Sequence, residues 1–487
     1  MKRSYLLASA LLLAGFLVMC VCFVVLGDGM MPAQVLAAEL EAQADGGRAA
    51  TLNTTGAYTS YVPLVARFHE PAYVSPFGVV MYGDVDDAAG LPVMETAGSK
   101  WASVMLHWSV AEPVKGVYNW SSFDAKAQNA QAAGLDLFVL ITSNPAWVAS
   151  TPYGPVNDVA AMVNFAAAAV ERYDCDGVAD APGSPCVHTW SFYPEPDHNE
   201  RWGHNAWAFA AMLAQVSPAM HAADAHARVM IGGLAYDWFE EYGGPFVRSF
   251  LADTLSALNA YPGGASAYID AVAFHYYPIN GAWPTIREKA WEVKDIMAQQ
   301  GVADLPLLCP EMGFWSSPKF ADSSEAKQAR WVAQTYARGL SVPLELMSYY
   351  KVFDDAVPGS AEDLGAAHTA GLIKIDGTTR KLAYFAYQTV AHELDGARYR
   401  RELDLANVEG YVFQMPYGQE KTVLWATTAA AQRVTFVGSC LRVVDTTGAV
   451  YSPIADGNPS WDLDGSVNGQ IRLQVYDNQP FYVEACR

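Results

Sequence analysis

Between residues 77 and 350 the chain switches repeatedly between two hydrophobic patterns. Short, almost wholly apolar runs occupy 77–82, 102–108, 136–142, 189–193, 227–232, 269–275, 305–308 and 345–350. Runs of this length without polar alternation read as strands buried on both faces. The segments between them carry apolar residues at helical spacing. Segment 158–173 is Ala-rich, with Asn157 as its N-cap, and 123–133 ends at Gly134 in the C′ position. Segment 283–300 sets Ile286, Ala290, Val293 and Met297 on one face and closes at Gly301. Asp322-Ser323-Ser324-Glu325 reads as a capping box opening a helix over 326–339. The strand starts lie about 38 residues apart on average, which suits βα units. Eight such units predict a closed α/β structure, the (β/α)8 TIM barrel, over 76–395. A doubly wound open sheet would need a glycine-rich phosphate loop after its first strand, and Tyr82-Gly83-Asp84-Val85 is not one.

Past residue 395 the period shortens to two. Runs at 411–415, 422–426, 433–436, 441–444, 471–476 and 481–484 alternate apolar with polar and are separated by turn residues such as Thr447-Gly448 and Asp456-Gly457-Asn458-Pro459. This predicts a small all-β sandwich over 396–487. At the other end, Met1-Lys2-Arg3 precedes an uncharged apolar stretch over 5–26, with a small-residue cleavage site at Val35-Leu36-Ala37. Segment 1–38 is therefore a signal peptide or a membrane anchor through 5–26, and 39–75 is a linker. Both readings put the rest of the chain outside the cytoplasm, secreted or held at the outer face of the cytoplasmic membrane.

Composition narrows the partners. The 487 residues carry 51 acidic and 30 basic side chains, a formal net charge of −21, which disfavours any nucleic-acid partner. Outside the apolar leader lie five cysteines. Cys175 and Cys186 flank a Gly/Pro/Asp loop they would staple, Cys440 and Cys486 would tie down the last strand, and Cys309 is left over in an apolar run. An oxidising compartment allows both bridges, but spacing alone does not fix the pairing. No Cys/His cluster suggests zinc, and no cofactor is implied. Asp174, Asp176 and Asp180, with Gly177, resemble part of a calcium loop that lacks a distal Glu; an acidic, disulfide-stapled surface loop is the plainer reading.

Barrel enzymes place their reacting groups at the C-terminal ends of the strands. The fourth strand leads into Tyr193-Pro194-Glu195-Pro196-Asp197, the seventh into Pro310-Glu311-Met312-Gly313, and the sixth into His275-Tyr276-Tyr277-Pro278. A Glu at a strand end is usually a solvated loop carboxylate. Two in matching positions, with a His/Tyr cluster between them, are what glycosidic cleavage needs: a proton donor and a nucleophile.

Trp108 to Asp124, with Glu112, Pro113, Gly116, Tyr118 and Trp120, resembles the strand-two signature of clan A glycoside hydrolases, retaining (β/α)8 enzymes that include families five and thirty-nine. Asn144-Pro145-Ala146-Trp147, Tyr193-Pro194-Glu195-Pro196, His275-Tyr276-Tyr277 and Glu311 with Gly313 are similar to later motifs of that clan, in the same order. The resemblance spans about 77–395, and a small C-terminal β domain also accompanies the family thirty-nine barrel. It implies Glu195 as general acid/base and Glu311 as nucleophile oriented by Tyr277. It implies His275 lining the sugar site, Asn144 and Trp147 at the rim, and Tyr349 as a platform under the sugar. The substrate would be an oligo- or polysaccharide. Desolvation and the second carboxylate should raise the pKa of Glu195.

Two departures stand out. Pro194 replaces the Asn that in the clan holds the sugar 2-hydroxyl, with His198 or Asn199 as substitutes and a cis bond as an option; Pro310 precedes the nucleophile. A catalytically impaired carbohydrate-binding protein on the same barrel is therefore the alternative to an exported glycosidase. A cell-surface scaffold acting through its β domain is a third reading.

Overall fold

The computed structural model describes residues 75–278, 283–320 and 322–486. The signal or anchor segment 1–38, and the linker expected over 39–75 except Ser75, lie outside these residues. Among the described residues no helix is long and apolar enough to cross a membrane.

Eight parallel strands close into a barrel in sequential order: β1 (Phe77–Val80), β2 (Trp101–His107), β3 (Asp136–Thr142), β4 (Thr189–Phe192), β5 (Arg228–Leu234), β6 (Ala271–Tyr276), β7 (Leu307–Met312) and β8 (Leu344–Tyr349). β1 pairs with both β2 and β8, which closes the ring. Its interior is packed, with Trp101, Phe138, Met230, Ala271, Ala273, Leu308 and Leu346 forming one buried cluster. Arg228, at the start of β5, reaches across to Glu345, at the start of β8, in a two-pronged ion pair of 2.6 and 2.8 Å. That pair spans the N-terminal end of the barrel.

The expected strand 305–308 stops at Pro310, but β7 runs on through Pro310 and Glu311. Its register against β8 breaks between Cys309 and Met312, and that break accommodates a residue with no N–H to offer the ladder. Two expected caps also move by one or two residues. Asp158, not Asn157, caps helix Val159–Tyr173 by accepting from the Ala161 amide. Ser324, not Asp322, caps helix Glu325–Leu340 by accepting from the Lys327 amide.

The C-terminal strands are β9 (Arg398–Glu402), β10 (Val408–Gln414), β11 (Glu420–Ala426), β12 (Gln432–Val437), β13 (Cys440–Asp445), β14 (Val450–Ala455), β15 (Gln470–Val475) and β16 (Phe481–Ala485). They form a six-stranded antiparallel sheet in the order β14-β13-β16-β11-β10-β9, and a hairpin-like pair β12-β15. Period-two alternation gives the large sheet two apolar faces. Tyr411, Phe413, Val423, Trp425 and Tyr482 join the core of the barrel, while Leu424, Val443 and Val483 join Ile471 and Leu473 of the small sheet. The Cys175–Cys186 and Cys440–Cys486 disulfides are both formed, and Cys309 is a buried free thiol.

Charge is buried where sheet meets barrel. Glu393, on helix Leu382–Leu394, accepts from Lys421 of β11 and from Arg442 of β13, and Arg442 also donates to Glu484 of β16 at 2.9 Å. Lys421 is almost fully enclosed. Replacing it with Met strands two carboxylates with Arg442 as their remaining cation. The variant should lose about 3 kcal/mol of unfolding free energy, read by urea denaturation.

Candidate active site

The turn after β4 is built to aim one side chain. Tyr193 and Glu195 both adopt left-handed backbone, with φ of 60° and 46°. Such residues cost about 1–3 kcal/mol each and persist where their surroundings fix them. Here the Tyr193 amide donates to Ile141 O at 2.9 Å and the Glu195 amide to Gly233 O at 3.0 Å. Arg201 Nη1 donates to Pro194 O at 2.5 Å. The bend is made this way with Tyr193–Pro194 trans, not through the cis bond considered from sequence. Two glycines on β5 leave the room. A Cβ on Gly232 would lie 2.3 Å from Phe192 O, and one on Gly233 would lie 2.1 Å from His275 Nε2.

Glu195 and Glu311 converge on His275. Its Nδ1 lies 3.4 Å from Glu195 Oε1 and 4.0 Å from Glu311 Oε1. Glu311 is gripped on both oxygens: Tyr277 donates to Oε1 at 2.6 Å, and the Tyr82 hydroxyl donates to Oε2. Burial first, and then the charge of Glu311, hold both phenols well above their ordinary pKa, so they remain donors. Gly313 keeps the exit from β7 narrow; a Cβ there would sit 2.6 Å from Tyr350 O and 3.0 Å from the Tyr277 ring.

The charge state of Glu195 differs from the expectation. Burial does act to raise its carboxyl, but the hydrogen bond and charge of His275, with the charges of Arg201 and Lys289, outweigh burial and hold it below the usual value. Arg201 Nη1 stands 3.6 Å from Glu195 Oε2. His275 responds in the opposite sense. Burial acts to lower it, and the charge of Glu311 and the hydrogen bond to Glu195 more than compensate, so it lies above its ordinary value. Without a ligand the site therefore favours an imidazolium between two carboxylates. One group is fitted to attack an electrophilic carbon, and an adjoining pair is fitted to hold a single transferable proton.

These groups face a cavity of about 470 Å³, walled also by Tyr82, Tyr153, Arg201, Trp315 and Tyr350. Of the residues expected from sequence, Glu195, Glu311, His275 and Tyr277 meet here, and three do not. Tyr349 is fully buried; its hydroxyl donates to Phe314 O at 2.9 Å and accepts from Gln328, so it packs behind the wall, and its neighbour Tyr350 lines the cavity. Asn144 accepts from Tyr193 at 2.6 Å and donates to Thr151 O and Gly154 O, which braces the loop carrying Tyr153. Trp147 donates to Glu112 O at 3.2 Å and packs edge-on against Trp108. His198 and Asn199 do not line this cavity either; Asn199 pairs with Glu240 and His198 packs on Phe246. Sequence reading missed Tyr82 and Arg201, which bear on the two carboxylates, and the wall residues Tyr153, Trp315 and Tyr350. Tyr82 stands just past β1, the strand-end position that marked the others.

The fold is that of family 39 and family 30 glycoside hydrolases. A family 39 glycoside hydrolase from the gut symbiont Bacteroides cellulosilyticus WH2 superposes with a TM-score of 0.63 at 17% identity, over 84% of this chain and 81% of that one. A glucosidase from Croceicoccus marinus matches with a TM-score of 0.61 at 15% identity, over 85% and 97%. A GH30 endoxylanase from Clostridium papyrosolvens C71 matches with a TM-score of 0.56 at 14% identity, over 85% and 97%. No family model and no curated protein matches the sequence. At these identities the likeness carries the architecture.

The acidic loop gathers Asp174, Asp176 and Asp180 with ligand atoms within 4.8 Å of one another. Their carboxylates accept from the amides of Asp176, Val178 and Gly177, the bonds of a tight turn.

The shifted histidine makes a stability prediction. A group raised on folding contributes stability that is present below its unfolded value, about 6.5, and is lost as pH rises through its folded value. The parent should therefore lose unfolding free energy as pH climbs above about 6.5. His275→Asn should lack that decline when both are compared by denaturant titration across pH.

Proposed function

We propose that this protein is an exported retaining β-glycosidase. The observation that carries the reading is the meeting of two carboxylates, from the ends of β4 and β7, on one histidine at the mouth of the barrel. The structural neighbours, glycoside hydrolases that include a glucosidase and an endoxylanase, support a β-linked carbohydrate as substrate. The two disulfides support a location outside the cytoplasm.

Glu311 acts as nucleophile. Its oxygens are held by Tyr82 and Tyr277, which fix the carboxylate against the anomeric carbon and release their hold only in part as charge moves to the new ester bond. Glu195 acts as acid and then as base. It gives a proton to the departing oxygen as the glycosyl–Glu311 ester forms, then takes one from the water that cleaves that ester. The proton it needs is shared with His275 in the resting site, so the acid is ready at low pH and starved of its proton as pH rises. The impaired-binder alternative gains no support, because Pro194 leaves Glu195 aimed into the cavity.

Four measurements test this. Glu311→Gln should remove turnover of aryl β-glycosides, and proton NMR of the first product of the parent should show the β anomer. Glu195→Gln should slow unactivated glycosides by about 10²–10⁴-fold. Arg201→Met should move the alkaline limb of kcat/KM to higher pH, since removing a cation beside Glu195 lets its carboxyl hold a proton longer. An unmoved limb would contradict the role given to Glu195.

A further inference from the structure

Four lysines are buried among the described residues, and one of them differs from the rest. Lys289 donates to Ala235 O at 2.5 Å, Lys381 to both oxygens of Asp354 at 3.0 and 3.1 Å, and Lys421 to Glu393. Lys126, on helix Ser121–Ala132, is 6% exposed and makes no hydrogen bond or ion pair among the described residues. A buried charge is costly unless something balances it. The acids at hand do not. Asp124, on the same helix, is taken by Arg172 at 2.8 and 2.7 Å and by Tyr173. Asp84, whose charge is felt at Lys126, is exposed and does not reach it with a hydrogen bond.

Lys126 lines a cavity of about 70 Å³ together with Met105, His107, Asn119, Ser122 and Phe123. No carboxylate is among its lining residues. The polar groups that remain are donors. Asn119 Oδ1 already accepts from the amide and hydroxyl of Ser121, at 3.3 and 2.8 Å, which leaves its NH2 end to donate. The Ser122 hydroxyl makes no hydrogen bond among the described residues, and at i,i+4 it shares the helix face of Lys126. Ser122 also belongs to the first helical turn, where the positive end of the helix dipole lies, and Trp120 at the N-cap brings no side-chain acceptor to it. Burial, and then the charge of Lys126, hold His107 below its ordinary value, so the ring, bonded through Nδ1 to Ser143 Oγ at 2.8 Å, adds no second cation.

We propose that this cavity is an anion site that takes one small monovalent inorganic anion, a halide such as chloride, on the ammonium of Lys126, with Asn119 and Ser122 as neutral donors. Size and charge both select. The space holds an ion with about one or two waters, and it excludes a sugar ring. One anionic charge balances one cation. Met105 lines both this cavity and the active-site cavity, so an ion held here braces the end of β2 where it meets the mouth of the barrel. The inference stands on Lys126 and goes beyond the glycosidase reading, whose failure would leave it intact.

The test uses the full chain in sodium gluconate, whose anion is too bulky for the cavity, titrated with sodium chloride or bromide at constant ionic strength. The melting temperature of the parent should rise along a saturating curve, by about 1–3 °C in all. Lys126→Met should show no halide response, and in gluconate alone it should melt at or above the parent, since it removes an unbalanced charge. Asp84→Asn, which removes a competing negative charge, should keep the response and reach half-saturation at lower halide. Crystals soaked in bromide should show an anomalous peak beside Lys126. Parallel halide responses in the parent and Lys126→Met, or a cavity holding only water or closed by Asp84 on Lys126, would overturn the site. A bromide peak without a saturable response would mark an adventitious ion only, and would overturn it too.

Discussion

Two carboxylates facing one poorly solvated hollow repel each other, and the fold spends its most constrained backbone on making that arrangement tolerable. His275 stands between them, its imidazole held above its ordinary pKa by the two carboxylates against the effect of burial, and two phenols that cannot easily ionise donate to Glu311. These groups come from four strand ends, those of β1, β4, β6 and β7, so the barrel must close in the right register for the charges to balance. The glycines of β5 belong to the same constraint. With a Cβ on Gly233 the imidazole would have no place to stand. The strain at Tyr193 and Glu195 follows, since a regular exit from β4 would not turn the carboxylate toward the histidine.

The C-terminal sheet contributes to this rigidity from outside. Its inner face continues the apolar core of the barrel, and its ionic cluster grips helix Leu382–Leu394, the last helix of the barrel, through Glu393. Tyr387 on that helix donates to Gly78 O in β1, four residues before Tyr82. The path from sheet to nucleophile is thus short and made of packed, hydrogen-bonded groups.

Legibility in the sequence followed burial. Strands enclosed on both faces are apolar throughout, so all eight barrel strands were readable, and strand ends then located Glu195, His275, Tyr277 and Glu311. The strands that escaped are β9 and β14, the two edges of the large sheet. Edges carry charge or Pro to discourage further pairing, as Arg398–Glu402 and Pro453 do, and this erases the alternation that marks inner strands. The Tyr349 error is a matter of one position. Successive side chains of a strand point to opposite sides, so Tyr349 packs into the wall and its neighbour Tyr350 reaches the mouth. Tyr82 and Arg201 were missed for another reason. Their importance lies in whom they touch, and the Tyr82–Glu311 contact joins residues 229 apart in the chain. The lowered carboxyl of Glu195 was equally beyond reach, because it depends on a balance between burial and three cations that only coordinates supply.

The Arg228–Glu345 clasp and the packed layer above it seal the far end of the barrel. Whatever enters must back out by the way it came, so a spent molecule obstructs the next until it departs. Exchange with solvent is left to the loops that rim the opposite face, and their shape sets what can come and go.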